Sequence, residues 1–581
     1  MTKYRPSSQQ TEVRSGAEKL SNISTSYQFH QELESPVDFV RREWKALAVF
    51  GGGFVLILVA AVLAIDPAFY YPRLFADPLL YYLKGLAFTE TGHTAARAYI
   101  NRAPFHYVAL PGVLRSPFML AFRDFDDQLR AIQLSNVLLL AVTATMYAYV
   151  LSWAIPRRWH WLAVGWTFGF MLLSPDWVSN VFGPLADAPY AAFSIGFLIL
   201  ATRVICAERP LVSRLWAIVS GAILFILAFL VKFTAPFLLV HSALLGLGRR
   251  RFRPVRRQVF QAWVATAVVG VAILMALSWK TLTVRYLYLP FLFLRKASLF
   301  GIFENLLVSA LPTQIIPAFN IWFPHQGIND RYHVGFATSP FTIALLTIGL
   351  AISATIFVGM VRYRRRLTPE IAYCLISISA LMLIIPSAAR YLMPYQPLLW
   401  IFFYGGAAIV TAPVAARIAA KRRAPIIAAA ALAAAVAGFA FLRSQRVAGA
   451  GIEGSTPISI GGVRRYTTEV ASTFRSLRGY LETLPRDRTL LVASFGASGR
   501  WKVISGLDYY RPDSVLPEAV ARRETYLLVE CGTLDACLDF GAFDARMKKD
   551  LEKFGVFSYS LVYSAATPHA KARVYRIRNG V

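Results

Sequence analysis

The chain has 581 residues, of which 56% are hydrophobic and only 16% are charged, whereas soluble domains average about 25% charged residues. Its net charge is +29, but many of the basic residues lie in short clusters between long apolar runs, such as 249–257 and 362–366. Such clusters are typical of cytoplasmic loops and of contact with anionic lipids, so they do not require nucleic acid as a partner. The composition excludes an ordinary soluble enzyme and predicts a polytopic helical membrane protein.

The N-terminal residues 1–43 are polar and lack periodicity, which predicts a flexible cytoplasmic tail. No clear cleavage site follows, so the first apolar run is expected to be retained as a span. With the basic clusters placed inside, the C-terminal region is expected outside, and eleven spans are predicted at 46–65, 131–153, 161–175, 188–205, 215–231, 234–248, 259–279, 340–361, 369–386, 395–416 and 425–442.

The membrane region, predicted as 44–443, contains two long outer loops at 66–130 and 280–339. The first loop has candidate short helices at 77–91 and 118–130. Only Glu208 and Glu370 among the acids are predicted on the cytoplasmic side. Acids contribute little to orientation, so this asymmetry suggests that the chemistry lies on the outer face. The acids predicted there are Asp66, Asp77, Glu90, Asp124, Asp126, Asp127, Asp176, Asp187, Glu304 and Asp330.

Residues 444–581 change character and predict an extracytoplasmic α/β domain. Periodicity predicts helices at 463–484 and 544–555, the latter closed by Gly555, and strands at 489–494, 525–531, 557–564 and 572–578. Cys531 and Cys537 are six residues apart in this domain, where an oxidising compartment would allow a disulfide. The alternative is two reduced thiols. No Cys/His set with zinc spacing accompanies them, so no metal site is predicted.

No phosphate loop, dinucleotide fingerprint or nucleophile elbow occurs in a usable context. The remaining candidates are ionisable residues at the predicted outer ends of spans or in the first loop, which are functional hypotheses by default. Each has a structural alternative. Asp77 and Asp187 could cap helices, Lys232 could snorkel, Arg390 could contact a lipid headgroup, and Arg102 and His106 could pack the loop.

In order and sidedness, these features resemble the GT-C superfamily of integral-membrane glycosyltransferases. The closest likeness is to the dolichyl-phosphate-mannose-protein mannosyltransferase and aminoarabinose-transferase type. The matching pieces are D-x3-Y at 77–81, R-x-P-x-x-Y at 102–107, acid-x-P at 187–189, K-x-T at 232–234 and RYLMPYQP at 390–397. The family often has paired acids in the first loop, but here Pro78 follows Asp77. Whether Asp66 or Asp187 shares the role of Asp77 is therefore left open.

The resemblance implies a GT-C-like bundle of about eleven transmembrane helices with a periplasmic C-terminal domain. The Ala/Arg-rich composition and the short cytoplasmic loops favour a bacterial inner membrane. The resemblance also implies transfer of a hexosyl or pentosyl group, with inversion, from a polyprenyl-phosphate donor to a hydroxyl of a glycan such as lipopolysaccharide, of a lipid or of a protein. The expected roles are catalysis by Asp77 and Asp187, donor-phosphate binding by Arg390, Lys232 and Arg102, and lining of the substrate pocket by Tyr81, His106 and Tyr391.

No cofactor is implied with certainty, and a divalent cation is left open because family members differ in metal dependence. Two other classes of protein stay as alternatives. One is a polysaccharide polymerase or ligase, and the other is a transporter or flippase of lipid-linked sugars. A transporter is expected to carry polar broken helices near the membrane midplane, whereas the charges here gather near the predicted outer ends of the spans.

Overall fold

The computed structural model describes residues 35–73, 79, 81–82, 85, 114–182, 187–206, 215–231, 235, 237–247, 265, 268–269, 272, 340–384, 389–419, 460–493, 500–501, 504–505, 507–510, 523–531, 540–553, 555, 557–568 and 570–579. The α-helices in this part are α1 Pro36–Ala46, α2 Gly52–Ala64, α3 Ser116–Ala121, α4 Phe125–Ser152, α5 His160–Leu173, α6 Pro175–Phe182, α7 Asp187–Cys206, α8 Leu215–Val231, α9 Phe237–Leu247, α10 Pro340–Tyr363, α11 Thr368–Ile384, α12 Gln396–Ala419, α13 Ile460–Glu482 and α14 Phe540–Glu552. Short 3₁₀ turns cover Pro67–Arg73, Arg157–Trp159 and Ala389–Tyr395.

Helix α1 begins inside the predicted tail, so the prediction of an irregular tail is wrong for residues 36–43. The hydroxyl of Ser35 accepts a hydrogen bond from the backbone N–H of Asp38 (3.0 Å), and Pro36 occupies the first turn. These are ordinary helix-start signals. A single π turn at Leu47–Gly51 then joins α1 to α2 without a break. The first predicted span is therefore the second half of a longer helix.

Helix α4 corrects the predicted short helix at 118–130. The chain turns extended at Phe122, the Asp124 carboxylate caps the next helix by accepting from the N–H of Asp126 (2.8 Å), and α4 then continues to Ser152. Among the described residues, two continuous helical stretches, Pro36–Ala64 and Phe125–Ser152, are long and apolar enough to cross a bilayer. The predicted spans at 259–279 and 425–442 fall largely outside the described residues.

The helices α1, α2 and α4–α12 pack around one apolar cluster that includes Tyr147, Trp177 and Trp400. Large apolar side chains also cover the outside of this bundle, for example Leu56 (72% exposed) and Phe357 (65% exposed). Helices α10 and α12 cross closely at Gly359 and Gly406, where a β-carbon would overlap backbone carbonyl groups of the facing helix. Small residues at helix crossings and an apolar exterior are both typical of bundles in lipid.

The C-terminal residues form the predicted α/β domain around a sheet of five strands, β1 Thr489–Ala493, β2 Asp508–Tyr510, β3 Glu524–Cys531, β4 Phe557–Ala566 and β5 Lys571–Asn579. The strand order is β2-β1-β3-β5-β4. Strand β1 pairs parallel with β2 and β3, while β5 pairs antiparallel with β3 and β4. The sequence did not predict β2. A strand of three residues is too short to show the alternation of apolar and polar side chains that predicts a strand.

The α/β domain shares a core with the first outer loop. Tyr71, Leu129 and Ile132 belong to the same buried cluster as Phe474 of α13 and Trp501. The indole of Trp501 lies between two rings, with centroids 6.2 Å from Tyr71 in a T-shaped arrangement and 6.2 Å from Phe474 in a stacked one. The α/β domain therefore packs directly on the loop that carries the predicted catalytic segment.

Candidate functional site

Both ends of the segment that contains Asp77 are held on the first turn of α4. The Tyr71 hydroxyl donates a hydrogen bond to Asp126 Oδ1 (2.5 Å), and the Tyr82 hydroxyl donates to Gln128 Oε1. Both tyrosine rings are buried. Asp77 itself lies outside the described residues, six positions after Tyr71 and five before Tyr82.

Tyr81, predicted to line the substrate pocket, is buried in the apolar cluster of the helical bundle. Arg115, a buried cation in the first outer loop, interacts electrostatically with it. Burial lowers the pKa of Arg115 to about 10, and the nearby Tyr81 opposes that shift. Sequence reasoning missed Arg115 because nothing in the pattern around it distinguishes a buried loop arginine from an exposed one. Its position makes it a further candidate for binding an anionic substrate.

Asp187 is the first residue of α7 and is buried. The start of this helix is capped by another residue, since the Asn180 side-chain oxygen accepts from the backbone N–H of Ala188 (3.2 Å). Helix capping was the structural alternative for Asp187, but Asn180 caps this N–H instead. A buried carboxyl at a helix N-terminus benefits from the helix dipole.

The turn that carries Arg390 and Tyr391 packs against the start of α7. Asn180, which caps α7, also donates from Nδ2 towards Met393 Sδ (3.9 Å). The hydroxyl of Tyr147 donates to the Met393 carbonyl, and Trp177 Nε1 donates to Gln396 Oε1 (2.8 Å). Two predicted site segments that are far apart in the sequence therefore meet through Asn180.

The other predicted site residues are not placed by the described part of the chain. Asp77, Arg102, His106, Lys232 and Cys537 lie outside it, and the side chains of Arg390 and Tyr391 are not described either. Cys531 is disulfide-bonded, as the sequence suggested. Its predicted pairing with Cys537 stays a prediction. Among the described residues, no group of three or more His, Cys, Asp or Glu side chains is arranged to hold a metal ion.

Three acids that the sequence associated with outer-face chemistry form ion pairs with helix α13. Asp66 is bound by Arg475 through two hydrogen bonds (2.5 and 3.2 Å), and Arg478 contacts Asp124 (2.8 Å) and Asp126 (3.4 Å). Burial opposes ionisation of Asp66, but the hydrogen bond and charge of Arg475 outweigh it and hold the pKa of Asp66 below its ordinary value. These contacts give Asp66 a structural role, which weakens its case as a shared base.

Glu370, predicted on the cytoplasmic side, is completely buried on the first turn of α11. Its predicted side of the membrane stays a prediction. The Nε2 atom of His241, on α9, lies 3.3 Å from Oε1 of Glu370, and His241 is also completely buried. The His241 ring contacts Tyr373, which in turn contacts Tyr395 at the end of the Ala389–Tyr395 turn. A single histidine in an apolar run gave no sequence signal for this pair.

Taken together, the described residues form an apolar helical bundle with spanning-length helices and an α/β domain docked at one end. No family model and no curated protein matches the chain. It is similar to solved structures at 11–12% identity. One is ArnT from Cupriavidus metallidurans bound to undecaprenyl phosphate, with a TM-score of 0.45 over 90% of this chain and 98% of that chain.

Two further similar structures are of the Archaeoglobus fulgidus oligosaccharyltransferase. The apo form gives a TM-score of 0.38 over 88% of this chain and 73% of that chain. The form with zinc and sulfate gives 0.39 over 87% and 71%. With TM-scores below 0.5 and such low identity, these similarities assign neither a fold family nor an activity to this chain.

Proposed function

We propose that this protein is a GT-C-type glycosyltransferase that moves a sugar from a polyprenyl-phosphate donor to an acceptor hydroxyl at the periplasmic face of a bacterial inner membrane. The observation that carries the proposal is the junction at Asn180, which joins the start of α7, with Asp187, to the turn containing Arg390 and Tyr391. The order of motifs along the sequence independently favours a site assembled from these segments and the 71–82 segment.

A membrane location is supported by the outside of the bundle. Residues such as Leu56 and Phe357 expose most of their apolar side chains there. A soluble protein rarely exposes extended apolar surface of this kind, whereas lipid covers it at no cost. The two spanning-length helical stretches agree with this location.

In the proposed reaction, Asp77 takes the proton of the acceptor hydroxyl while the hydroxyl oxygen attacks the anomeric carbon. The bond from that carbon to the phosphate oxygen breaks, and the phosphate leaves with the bonding electrons. A positioned base contributes about 10²–10⁴-fold to the rate. Arg390, Lys232 and Arg102 are proposed to stabilise the charge that develops on the departing phosphate. A single displacement inverts the configuration of the sugar.

The remaining site residues are proposed to bind rather than react. Tyr81 is proposed to line the donor pocket together with His106 and Tyr391, and Arg115 to add positive charge close to Tyr81. Asp187, buried at the start of α7, is proposed to orient the acceptor or to assist Asp77. Dependence on a divalent cation is tested by assay with and without a chelator.

The proposal is tested by incubating the purified protein with a panel of polyprenyl-phosphate sugars and following release of polyprenyl phosphate by mass spectrometry. The proposal expects consumption of at least one hexosyl or pentosyl donor when an acceptor is present. Reconstituted vesicles with fluorescent donor provide the second arm. Movement of the donor between leaflets with no transfer would support a flippase, and consumption of polymeric donors alone would support a polymerase or ligase.

A further inference from the structure

Helix α13 of the α/β domain presents two arginines, one turn apart, to the first outer loop. Arg475 binds Asp66 at the end of the first predicted span (2.5 and 3.2 Å). Arg478 donates to the Tyr71 hydroxyl (2.8 Å) and to Asp124 (2.8 Å). A charged network therefore crosses from the C-terminal domain to the membrane-proximal part of the chain.

The two arginines are unequal. The Arg475 side chain is 55% exposed and Asp66 38% exposed, so water screens this pair strongly. The Arg478 side chain is only 18% exposed and lies 3.4 Å from Asp126, which is 16% exposed. The Tyr71 hydroxyl bridges the two, because it accepts from Arg478 and donates to Asp126 (2.5 Å). Arg478 is thus the main polar contact, and Arg475 is secondary.

Aromatic packing holds the same turn from both sides. The Pro67–Arg73 turn contacts the α/β domain through Phe69 against Tyr466, with ring centroids 5.8 Å apart. On its other side, Tyr70 stacks on Phe182 at 5.0 Å, at the end of α6. The turn therefore lies between the α/β domain and the helix that precedes Asp187. It has little freedom to move while α13 remains docked.

We infer that Arg478, assisted by Arg475, is a positioning residue for the transfer reaction, an inference that rests on the proposed function. Arg478 holds Tyr71 and the first turn of α4. The same helical turn binds Tyr82 through Gln128. Arg478 is thereby linked to both boundaries of the 71–82 segment, to Tyr71 directly and to Tyr82 through the first turn of α4. The domain acts on the reaction through this segment and does not need to touch the donor.

The test compares the full-length wild type with Arg478→Gln, Arg478→Lys and Arg546→Gln. Arg546 is a matched control, since it also lies on a helix of the α/β domain and pairs with an acid four residues later, but its side chain is 80% exposed. Tyr71→Phe is a milder second variant in case Arg478→Gln does not fold. Each protein is measured for kcat and KM for donor and acceptor, and for hydrogen exchange of peptides covering 67–73.

The inference predicts that Arg478→Gln lowers kcat by about 10- to 100-fold, as small misplacements of reacting groups do, with KM for the donor within about threefold of the wild type. Exchange at 67–73 should rise about tenfold or more. Arg478→Lys should recover part of kcat, because it keeps the charge but not the guanidinium fork. Tyr71→Phe should lower kcat in the same way but less, and Arg546→Gln should change neither measurement.

An unchanged kcat in a folded Arg478→Gln protein would overturn the positioning role, and unchanged exchange at 67–73 would show that this contact does not hold the turn. A purified wild type that transfers no sugar would instead refute the proposed function and the positioning role with it. The exchange comparison would still decide whether Arg478 holds the turn, so the two failures are distinguishable.

Discussion

The buried pair of His241 and Glu370 provides a quantitative test of how the bundle is held together. Both side chains are completely buried, and their nearest atoms are 3.3 Å apart. When the imidazole is protonated and the carboxyl is ionised, their attraction at that distance is about 5 kcal/mol for an effective dielectric constant of about 20. The cost of removing both groups from water is of similar size. The pair is therefore expected to add little net stability while making each partner dependent on the other.

This reasoning predicts that Glu370→Met destabilises the bundle by about 3–5 kcal/mol, since it leaves a buried imidazole without this partner. His241→Leu is expected to lower the stability by a similar amount, because it leaves the buried carboxyl of Glu370 without this partner. The double variant, with two apolar side chains of comparable size, is expected to cost only about 0–2 kcal/mol. The coupling between the two sites is then several kcal/mol, far larger than the ~0.5 kcal/mol found between independent sites.

The free energies are measured by equilibrium unfolding in mixed micelles of detergent and SDS, with Glu552→Met as control. Glu552 is exposed at the end of α14, and its replacement is expected to change stability by less than about 0.5 kcal/mol. A double variant whose cost equals the sum of the two single costs would refute the interdependence. It would indicate that His241 and Glu370 contribute separately to the bundle.

Two further predictions concern the helix crossing and the contact between domains. Gly359→Ala places a methyl group against a carbonyl of α12 and is expected to destabilise the bundle by about 1–3 kcal/mol in the same unfolding assay. The control is Gly169→Ala, where the added carbon meets no atom within 4 Å. Equal losses of stability in the two variants would contradict the close crossing. The pKa values of Asp66 and Asp124 are held below 3.8 because the bonds to Arg475 and Arg478 outweigh burial. The two carboxylates therefore stabilise the domain contact above about pH 4, and this stabilisation is lost as the pH falls through their lowered pKa values. Burial raises the pKa of Asp126, so its protonation opposes part of the change. Hydrogen exchange of peptides covering 67–73, corrected for the intrinsic exchange rates, should rise as the pH is lowered from 7 to 3. Exchange that does not change with pH would contradict this prediction.

Much of the fold could be predicted because apolar runs of spanning length leave a strong local signal. The helices at Leu215–Val231 and Pro340–Tyr363 begin where the sequence predicted spans, and the strands Glu524–Cys531 and Lys571–Asn579 lie within one residue of their predicted ends. Errors occurred where capping overrode hydropathy. Ser35 starts a helix in a polar stretch, and Asp124 starts α4 inside a predicted short helix.

The site was harder to predict because its contacts join distant parts of the chain. The excess of outer acids predicted chemistry on the outer face, but three of these acids, Asp66, Asp124 and Asp126, pair with arginines of α13. Arg475 and Arg478 lie three residues apart on a helix, a spacing that places both on one face. That spacing was visible in the sequence, but the partner of the face was not. Burial of Arg115 and of the His241–Glu370 pair likewise depends on packing alone.

The most direct measurement compares wild-type and Asp77→Asn protein with the donor that the panel identifies. The substitution removes the proposed base and keeps the size of the side chain. We predict that release of polyprenyl phosphate slows by about 100-fold or more, while the Kd for the donor stays within about threefold of the wild type. Transfer by Asp77→Asn at the wild-type rate would contradict the proposal that this carboxylate activates the acceptor.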